Sequence, residues 1–353
     1  MIPISVCIIA KNEERNIEKC LKPLRVYDWE IIVVDTGSTD RTKEIAMQYA
    51  DKVIDYVWIQ DFSAARNFSI ECASYDTILF IDSDEYLMEI DIDVILSLAK
   101  EHPTAVGLLS RQNHYQMNGT DSVYVDLVER LFSRKYYHYE GIIHEQVVLK
   151  DSAESSYDTY QIPLVLNHSG YNGSDEELRE KANRNISLLL EDLERHPDNP
   201  YTYFQIGQAY NMIHDDEKAC LYYDKGLSYD VNPDAEYVQM MVIGYGYALL
   251  HLNRAEEALG LCNVYDAFSG SADFLSLMGL IYLRNEQYVK AMLEFVKALS
   301  CDNVHVVGAN SFIPSYNLGL INEMMGEREM ALAYYRKCGD FPMALEKIKE
   351  LDR

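Results

Sequence analysis

The chain has 353 residues, room for two domains, and 48% of them are hydrophobic, enough to fill real cores. Its 57 acidic against 31 basic residues give a net charge of −26. That argues against nucleic acid or an anionic membrane as a general partner, while leaving room for a local nucleotide site. Seven dispersed cysteines show no C-x-x-C spacing, and no leader or apolar run approaches the ~18 residues of a membrane span. The expectation is a soluble, cytoplasmic chain with reduced thiols and no transmembrane segment.

The apolar run Ile4 to Ala10 reads as a first strand. An amphipathic helix follows, with Ile17, Cys20, Leu21 and Leu24 on one face and Asn12 as its expected N-cap. Glu30 to Asp35 is a second strand ending in a carboxylate, Thr36 to Asp40 a tight turn, and Arg41 to Ala50 a helix. Val53 to Ile59 and Ser63 to Ala73 form the next strand and helix. The run Thr77 to Ile81 then leads straight into Asp82-Ser83-Asp84-Glu85. Strand alternating with helix in this way means βαβ units and a parallel sheet.

Three carboxylates within four positions at a strand end repel one another unless a cation sits among them. Turn formation explains Asp and Ser equally well when the stretch stands alone. Convergence at one sheet edge favours a site. There a hard divalent metal, Mg²⁺ or Mn²⁺, takes one or two carboxylates together with phosphate oxygens. Asp35 is placed to accept from a base or ribose group, and Arg66 to reach phosphate.

The segments SVCIIAKNEERNIEKCL, EIIVVDTGSTDRT, DFSAARNFS and ILFIDSDEYL occur in that order. Together they resemble the GT-A nucleotide-binding half of a family 2 glycosyltransferase, over about residues 1–170. The resemblance implies that Ala10, Lys11, Asn12 and Glu13 line the nucleotide pocket, with Ser38 and Ser83 beside it. It implies that Asp35 bonds the base, usually uracil, and that Arg66 contacts the diphosphate. Asp82 and Asp84 become the DxD pair, Asp84 on the metal and Asp82 near the ribose and a metal water. Thr36 stands where many relatives carry a second Asp.

From Ala105 the pattern changes to short strands, at Ala105 to Leu109, Val123 to Leu127, Leu131 to Phe132 and Gln146 to Leu149. They fit the mixed-sheet, acceptor-binding half of a GT-A domain. Two clusters stand out, Arg130 to Arg134 leading to Gly141-Ile142-Ile143-His144-Glu145, and Asn167-His168-Ser169-Gly170. Inverting transfer needs a general base and positive charge on the departing diphosphate. Family 2 enzymes usually place the base in a Glu-Asp pair here, and His144-Glu145 resembles the variant of relatives carrying helical repeats. The order of candidates is Glu145, then His144, then Asp126. By the same resemblance His168 is a third metal ligand, against the plainer reading of a loop-holding histidine. The absence of Gln-x-x-Arg-Trp argues against a processive polysaccharide synthase.

Ser174-Asp175-Glu176-Glu177 reads as a capping box opening a helix over 171–200, with Leu178, Ala182, Ile186, Leu189 and Leu193 at helical spacing. Beyond it Gly207, Gly246, Gly279 and Gly319 each precede an Ala by twelve residues: Ala219, Ala258, Ala291 and Ala331. Tyr222 and Tyr223, Leu261, Phe295, and Tyr334 and Tyr335 follow three or four positions later. The pattern resembles tetratricopeptide repeats, whose period is about 34 residues. The expected architecture is therefore an α/β GT-A domain (1–170, Rossmann-like with a mixed central sheet), a connecting helix (171–200) and an all-α tetratricopeptide-like solenoid (201–353). A concave repeat face suits a peptide or protein ligand, and self-association through the same face is an equal expectation. The expected activity is inverting, Mn²⁺- or Mg²⁺-dependent transfer from a UDP-sugar to a peptide or protein side chain. The alternatives are a cell-surface glycan precursor as acceptor, or a non-catalytic nucleotide-binding scaffold.

Overall fold

The computed structural model describes residues 2–117, 120–150, 157–168 and 175–352. The chain divides into two compact units, Met1–Leu178 and Arg179–Arg353.

In the first unit, elements run β1 (Ile4–Ala10), α1 (Ile17–Leu24), β2 (Glu30–Asp35), α2 (Thr42–Ala46), β3 (Lys52–Asp55), α3 (Phe62–Glu71) and β4 (Thr77–Phe80). Next come β5 (Glu85–Ile90), α4 (Ile92–Glu101), β6 (Val106–Met117), β7 (Thr120–Ser133), β8 (Tyr137–Glu140), β9 (Gln146–Leu149) and β10 (Thr159–His168). Eight strands form one sheet in the order β3-β2-β1-β4-β7-β6-β10-β5, and β8 pairs with β9 separately. The first four are parallel to one another. β7 then runs antiparallel to both β4 and β6, which makes the sheet mixed.

Period-two alternation sorts the core onto the two sheet faces. Ile4, Val6, Ile8 and Ala10 of β1 pack on one face with Ile17, Cys20, Leu21 and Leu24 of α1. Cys7, Ile32, Ile78 and Phe80 pack on the other with Ile70 of α3. β2 is buried at every position, as expected of a parallel strand covered on both sides. The chain leaves β1 for β2 on one side and later returns to β4 on the other. Strand order thus reverses between β1 and β4, and a crevice opens at their carboxyl ends, where α/β folds bind ligands.

Several sequence expectations are corrected. Asn12 is not the N-cap of α1: it takes φ 55°, and Asn16 stands at the N-cap. The Asn12 side chain instead accepts from the Thr39 amide at 2.8 Å, so it ties the loop after β1 to the loop after β2. α2 is five residues long rather than ten. Three of the short strands expected after Ala105 merge into the long β6–β7 pair, whose register runs from Gly107↔Leu131 to Met117↔Thr120, while Gln146–Leu149 stands as β9. The expected capping residue Ser174 lies outside the described residues.

The second unit is all-helical: α5 (Asp175–Arg195), α6 (Pro200–Met212), α7 (Asp216–Leu227), α8 (Glu236–His251), α9 (Ala255–Ala258), α10 (Tyr265–Phe268), α11 (Ala272–Arg284), α12 (Tyr288–Ala298), α13 (Phe312–Met324), α14 (Arg328–Lys337) and α15 (Pro342–Leu351). α6–α7, α11–α12 and α13–α14 are regular repeat pairs, and α15 closes the array. The partner of α8 is broken into α9, a 3₁₀ stretch Leu259–Val264 and α10. The repeated glycines are seats for the repeated aromatics. A Cβ built on Gly207, Gly279 or Gly319 would stand 2.4–2.5 Å from the ring of Tyr223, Phe295 or Tyr335.

Gly279→Ala measures this packing. Alanine gains about 1 kcal/mol of helix propensity. Forcing its methyl against the fully buried Phe295 ring costs about 1–3 kcal/mol of overpacking. The ring sits in a filled core and has nowhere to turn, so the clash wins. Thermal unfolding followed by circular dichroism should show a lower midpoint for Gly279→Ala.

Candidate active site

The site is assembled at the carboxyl ends of the strands. After β1 the chain turns through Lys11 and Asn12, and after β2 through Gly37 and Ser38. The Asn12 amide donates to Ser38 Oγ at 2.9 Å, and the Glu13 amide donates to Thr42 Oγ1 at 2.7 Å. The Thr36 amide donates to the Ala10 carbonyl at 2.9 Å, with its hydroxyl reaching the same oxygen at 3.2 Å. Ala10 is buried and Lys11 exposed. Ser38 and Asn12 are thus the clasp between two loops.

Asp35 closes the β2 end. Its Oδ2 accepts from the amides of Gly37 (3.2 Å) and Ser38 (3.0 Å). Its Oδ1 is buried with no hydrogen-bond partner. A buried carboxylate oxygen left without a donor is costly in free energy, which marks it as an acceptor awaiting one.

The stretch after β4 separates its three carboxylates into different tasks. Glu85 is fully buried and faces inward. It accepts from the Asp82 amide at 2.9 Å and from Arg130 Nη2 at 3.0 Å, with Arg111 at 3.5 Å. Asp82 is clamped between two guanidiniums, Arg130 at 2.6 Å and Arg66 at 2.9 Å. Both of its oxygens are thereby engaged, so in this arrangement Asp82 serves as counter-ion rather than as an open metal ligand. Burial alone would raise its carboxyl, but Arg130 and Arg66 outweigh that and hold it well below the usual carboxylate range. Ser83 is buried beside it.

Asp84 points elsewhere. Its Oδ2 lies 3.5 Å from Nε2 of His168, at the end of β10. The register His168↔Glu85 between β10 and β5 brings these distant residues together. A carboxylate beside an imidazole nitrogen suits Mn²⁺ or Mg²⁺ when substrate phosphate oxygens and water complete the shell. No cluster of three or more His, Cys, Asp or Glu side chains arranged for a metal occurs among the described residues.

Arg66 is the residue expected to contact the diphosphate. It is neither solvated nor free: α3 places it on its buried face, with Ala65, Ser69 and Ile70. Asp61 caps that helix by accepting from the Ala64 amide. The guanidinium lies over Phe80, 4.2 Å from the ring centre, and bridges Asp82 to Glu145. Burial acts to lower Arg66, and the two carboxylates more than reverse this, so the charge is secure. Its Nη1 is buried without a partner. Glu145 follows the 141–145 turn between β8 and β9, and the Ile142 carbonyl of that turn accepts from the Phe62 amide at 2.9 Å. His144 takes φ 53° and is exposed. Partial desolvation of its ring lowers the imidazole, against the pull of Glu145. Asp126, third among the expected bases, is held by Arg111 at 2.6 and 3.1 Å and by Asn113 at 3.1 Å.

Sequence reasoning singled out Glu85 and the Arg130 cluster without pairing them, and it missed Arg111 and Asn113, which hold Asp126 behind the site. Arg130 is the keystone of the buried charges. Arg130→Met leaves Asp82 and Glu85 short of a counter-ion, and breaking such a buried pair costs about 3–5 kcal/mol. Asp82 has a folded pKa below its unfolded one, so its contribution is complete above about pH 4 and drains away as pH falls towards the folded value. Urea unfolding at pH 7 should show the full Arg130→Met penalty, and the gap to the unsubstituted chain should narrow well below pH 4.

Comparison with known proteins bears on the family of the first unit. Residues 5–143 match the family model described as Glycosyl transferase family 2. The SPbeta prophage-derived glycosyltransferase SunS of Bacillus subtilis (strain 168) is 33% identical over 233 residues, 64% of this chain and 54% of that protein. A TPR repeat-containing protein of Synechococcus elongatus is 29% identical over 213 residues, 59% of this chain and 52% of that protein. The chain spans about half the length of these curated relatives. A solved structure of S. aureus TarS 1-349 in complex with UDP-GlcNAc is 17% identical and covers 83% of this chain and 90% of that one. Its TM-score of 0.34 is too low to position anything here.

Proposed function

The N-terminal unit carries a family 2 glycosyltransferase domain, and from that premise we propose that the chain moves a sugar, with inversion, from a UDP-sugar to a peptide or protein side chain bound by the helical repeats. The observation that carries the donor reading is Asp35 Oδ1, a buried carboxylate oxygen with no donor. The imide N–H of uracil would satisfy it. Arg66 Nη1, buried without an acceptor, offers the complementary need for a phosphate oxygen.

Asp84 and His168 would hold Mn²⁺ or Mg²⁺. When bound, such an ion neutralises charge on the diphosphate as it departs. Asp82 would keep its two guanidiniums in place beside that charge. Glu145, held in place by Arg66, would take the acceptor proton. The acceptor atom then bonds to the anomeric carbon from the face opposite the diphosphate, the bond from that carbon to the phosphate oxygen breaks, and UDP leaves.

No described helix is long and apolar enough to cross a membrane, and the acceptor would come from solution. The extended surface of a repeat array suits a peptide chain more than a compact sugar. A thermal-shift panel of nucleotide-sugars, with and without Mn²⁺, tests the reading. A UDP-sugar should raise the unfolding midpoint, more so with metal, by mass action on the native state. UDP release from that donor should follow on adding acceptor peptides. Binding of UDP with no turnover of any donor would favour the scaffold reading.

A further inference from the structure

Beyond the carboxylate–histidine pair lies a chain of side chains that the proposed chemistry does not use. Asp126 of β7, Asn113 of β6 and His168 of β10 stand on three adjacent strands, and the register pairs Asn113 with His168. Asn113 is buried at 6% exposure. Its Nδ2 lies 3.1 Å from Asp126 Oδ1, and its Oδ1 lies 2.7 Å from His168 Nδ1.

These contacts favour one orientation of the Asn113 amide. A carboxylate accepts and cannot donate, so the amide must turn its NH₂ to Asp126 and its oxygen to His168. That oxygen in turn requires a proton on His168 Nδ1. The neutral ring then carries its lone pair on Nε2, the nitrogen facing Asp84 Oδ2 at 3.5 Å. Arg111 fixes the far end, holding both oxygens of Asp126 at 2.6 and 3.1 Å. With the amide reversed, its oxygen would face a carboxylate oxygen and its NH₂ the ring.

We infer that Asn113 and Asp126 are positioning residues that set the tautomer and orientation of His168 for a divalent cation. The inference rests on the metal reading of Asp84 and His168 given above. Neither residue touches the reacting atoms. Each acts through the ring nitrogen, as outer partners of metal-bound histidines generally do.

The test measures Mn²⁺ affinity of the full chain, by electron paramagnetic resonance of free Mn²⁺ in the presence of UDP. Asn113→Ala should weaken Mn²⁺ binding about 10–100-fold, the range for loss of an outer partner, and leave metal-free UDP binding unchanged. Exchanging the partners, Asn113→Asp together with Asp126→Asn, again gives the ring an acceptor and that acceptor a donor. It should recover most of the lost affinity, which a merely structural role would not predict. Mn²⁺ binding unaltered in Asn113→Ala, while Asp84→Ala abolishes it, overturns the positioning role and spares the metal reading. Absence of Mn²⁺ binding by the unsubstituted chain overturns both. Should Asn113→Ala fail to fold, Asp126→Ala, which removes the acceptor of the Asn113 amide, makes the same prediction with the same outcomes.

Discussion

Glu145→Gln should lower the transfer rate by about 10²–10⁴-fold, the usual worth of a positioned general base, with the KM for the donor changed no more than about threefold. The substitution keeps the shape of the side chain and an oxygen for the Arg66 guanidinium. It removes the ability to take a proton. The effect should therefore fall on kcat, since an interaction made only in the transition state lowers kcat and kcat/KM together. The geometry gives Glu145 a specific advantage over His144. It is nearly buried, and bonded to a guanidinium whose charge is itself secured by Asp82, so its position is fixed. His144 is exposed on a left-handed turn residue with no comparable fixture. His144→Ala should lower the rate less than tenfold, roughly. Single-turnover measurements with saturating donor separate the two. A Glu145→Gln rate within a factor of two of the unsubstituted rate removes Glu145 from the role.

Much of this site was legible in the chain because its parts are local. Asp35 ends an all-buried strand, and Asp82, Asp84 and Glu85 end another. An apolar run broken by carboxylates cannot be explained by packing. The repeat glycines were legible for a similar reason, since the fixed spacing to a small residue recurs four times, and in three of the four the glycine seats the aromatic of its own repeat. What could not be read is the sorting of three carboxylates: Glu85 fully buried, Asp82 clamped between two guanidiniums, and Asp84 beside His168. That depends on which arginines arrive from β6 and β7. Arg111, Asn113 and Asp126 lie in strands whose polar alternation reads as a solvent-facing surface. They become interior only once the long hairpin registers Arg111 against Asp126 and β10 adds on its other side. Arg130 stood inside a cluster already singled out, but nothing nearby in sequence indicates that its partners lie 45 and 48 positions away.

Asp84→Asn should reduce turnover by about 10²–10³-fold, the loss typical when one fixed stabiliser of a departing anion is removed. It should also abolish the dependence on Mn²⁺. The companion substitution Asp82→Asn should behave differently, because the two carboxylates have different neighbours. Asp82 sits among guanidiniums, and neutralising it leaves Arg66 and Arg130 under-compensated in a buried place. Its main consequence should be lower stability, on the order of 3 kcal/mol. Asp84 faces an imidazole at the strand edge, and its side chain is 16% exposed. It stands outside the guanidinium clamp around Asp82, so neutralising it should lower the unfolding midpoint without ligand less than Asp82→Asn does. The pair of measurements distinguishes a metal ligand from a structural carboxylate within one three-residue motif. If Asp84→Asn retains full, metal-stimulated turnover, the cation is held elsewhere and the separation of roles along Asp82-Ser83-Asp84 is wrong.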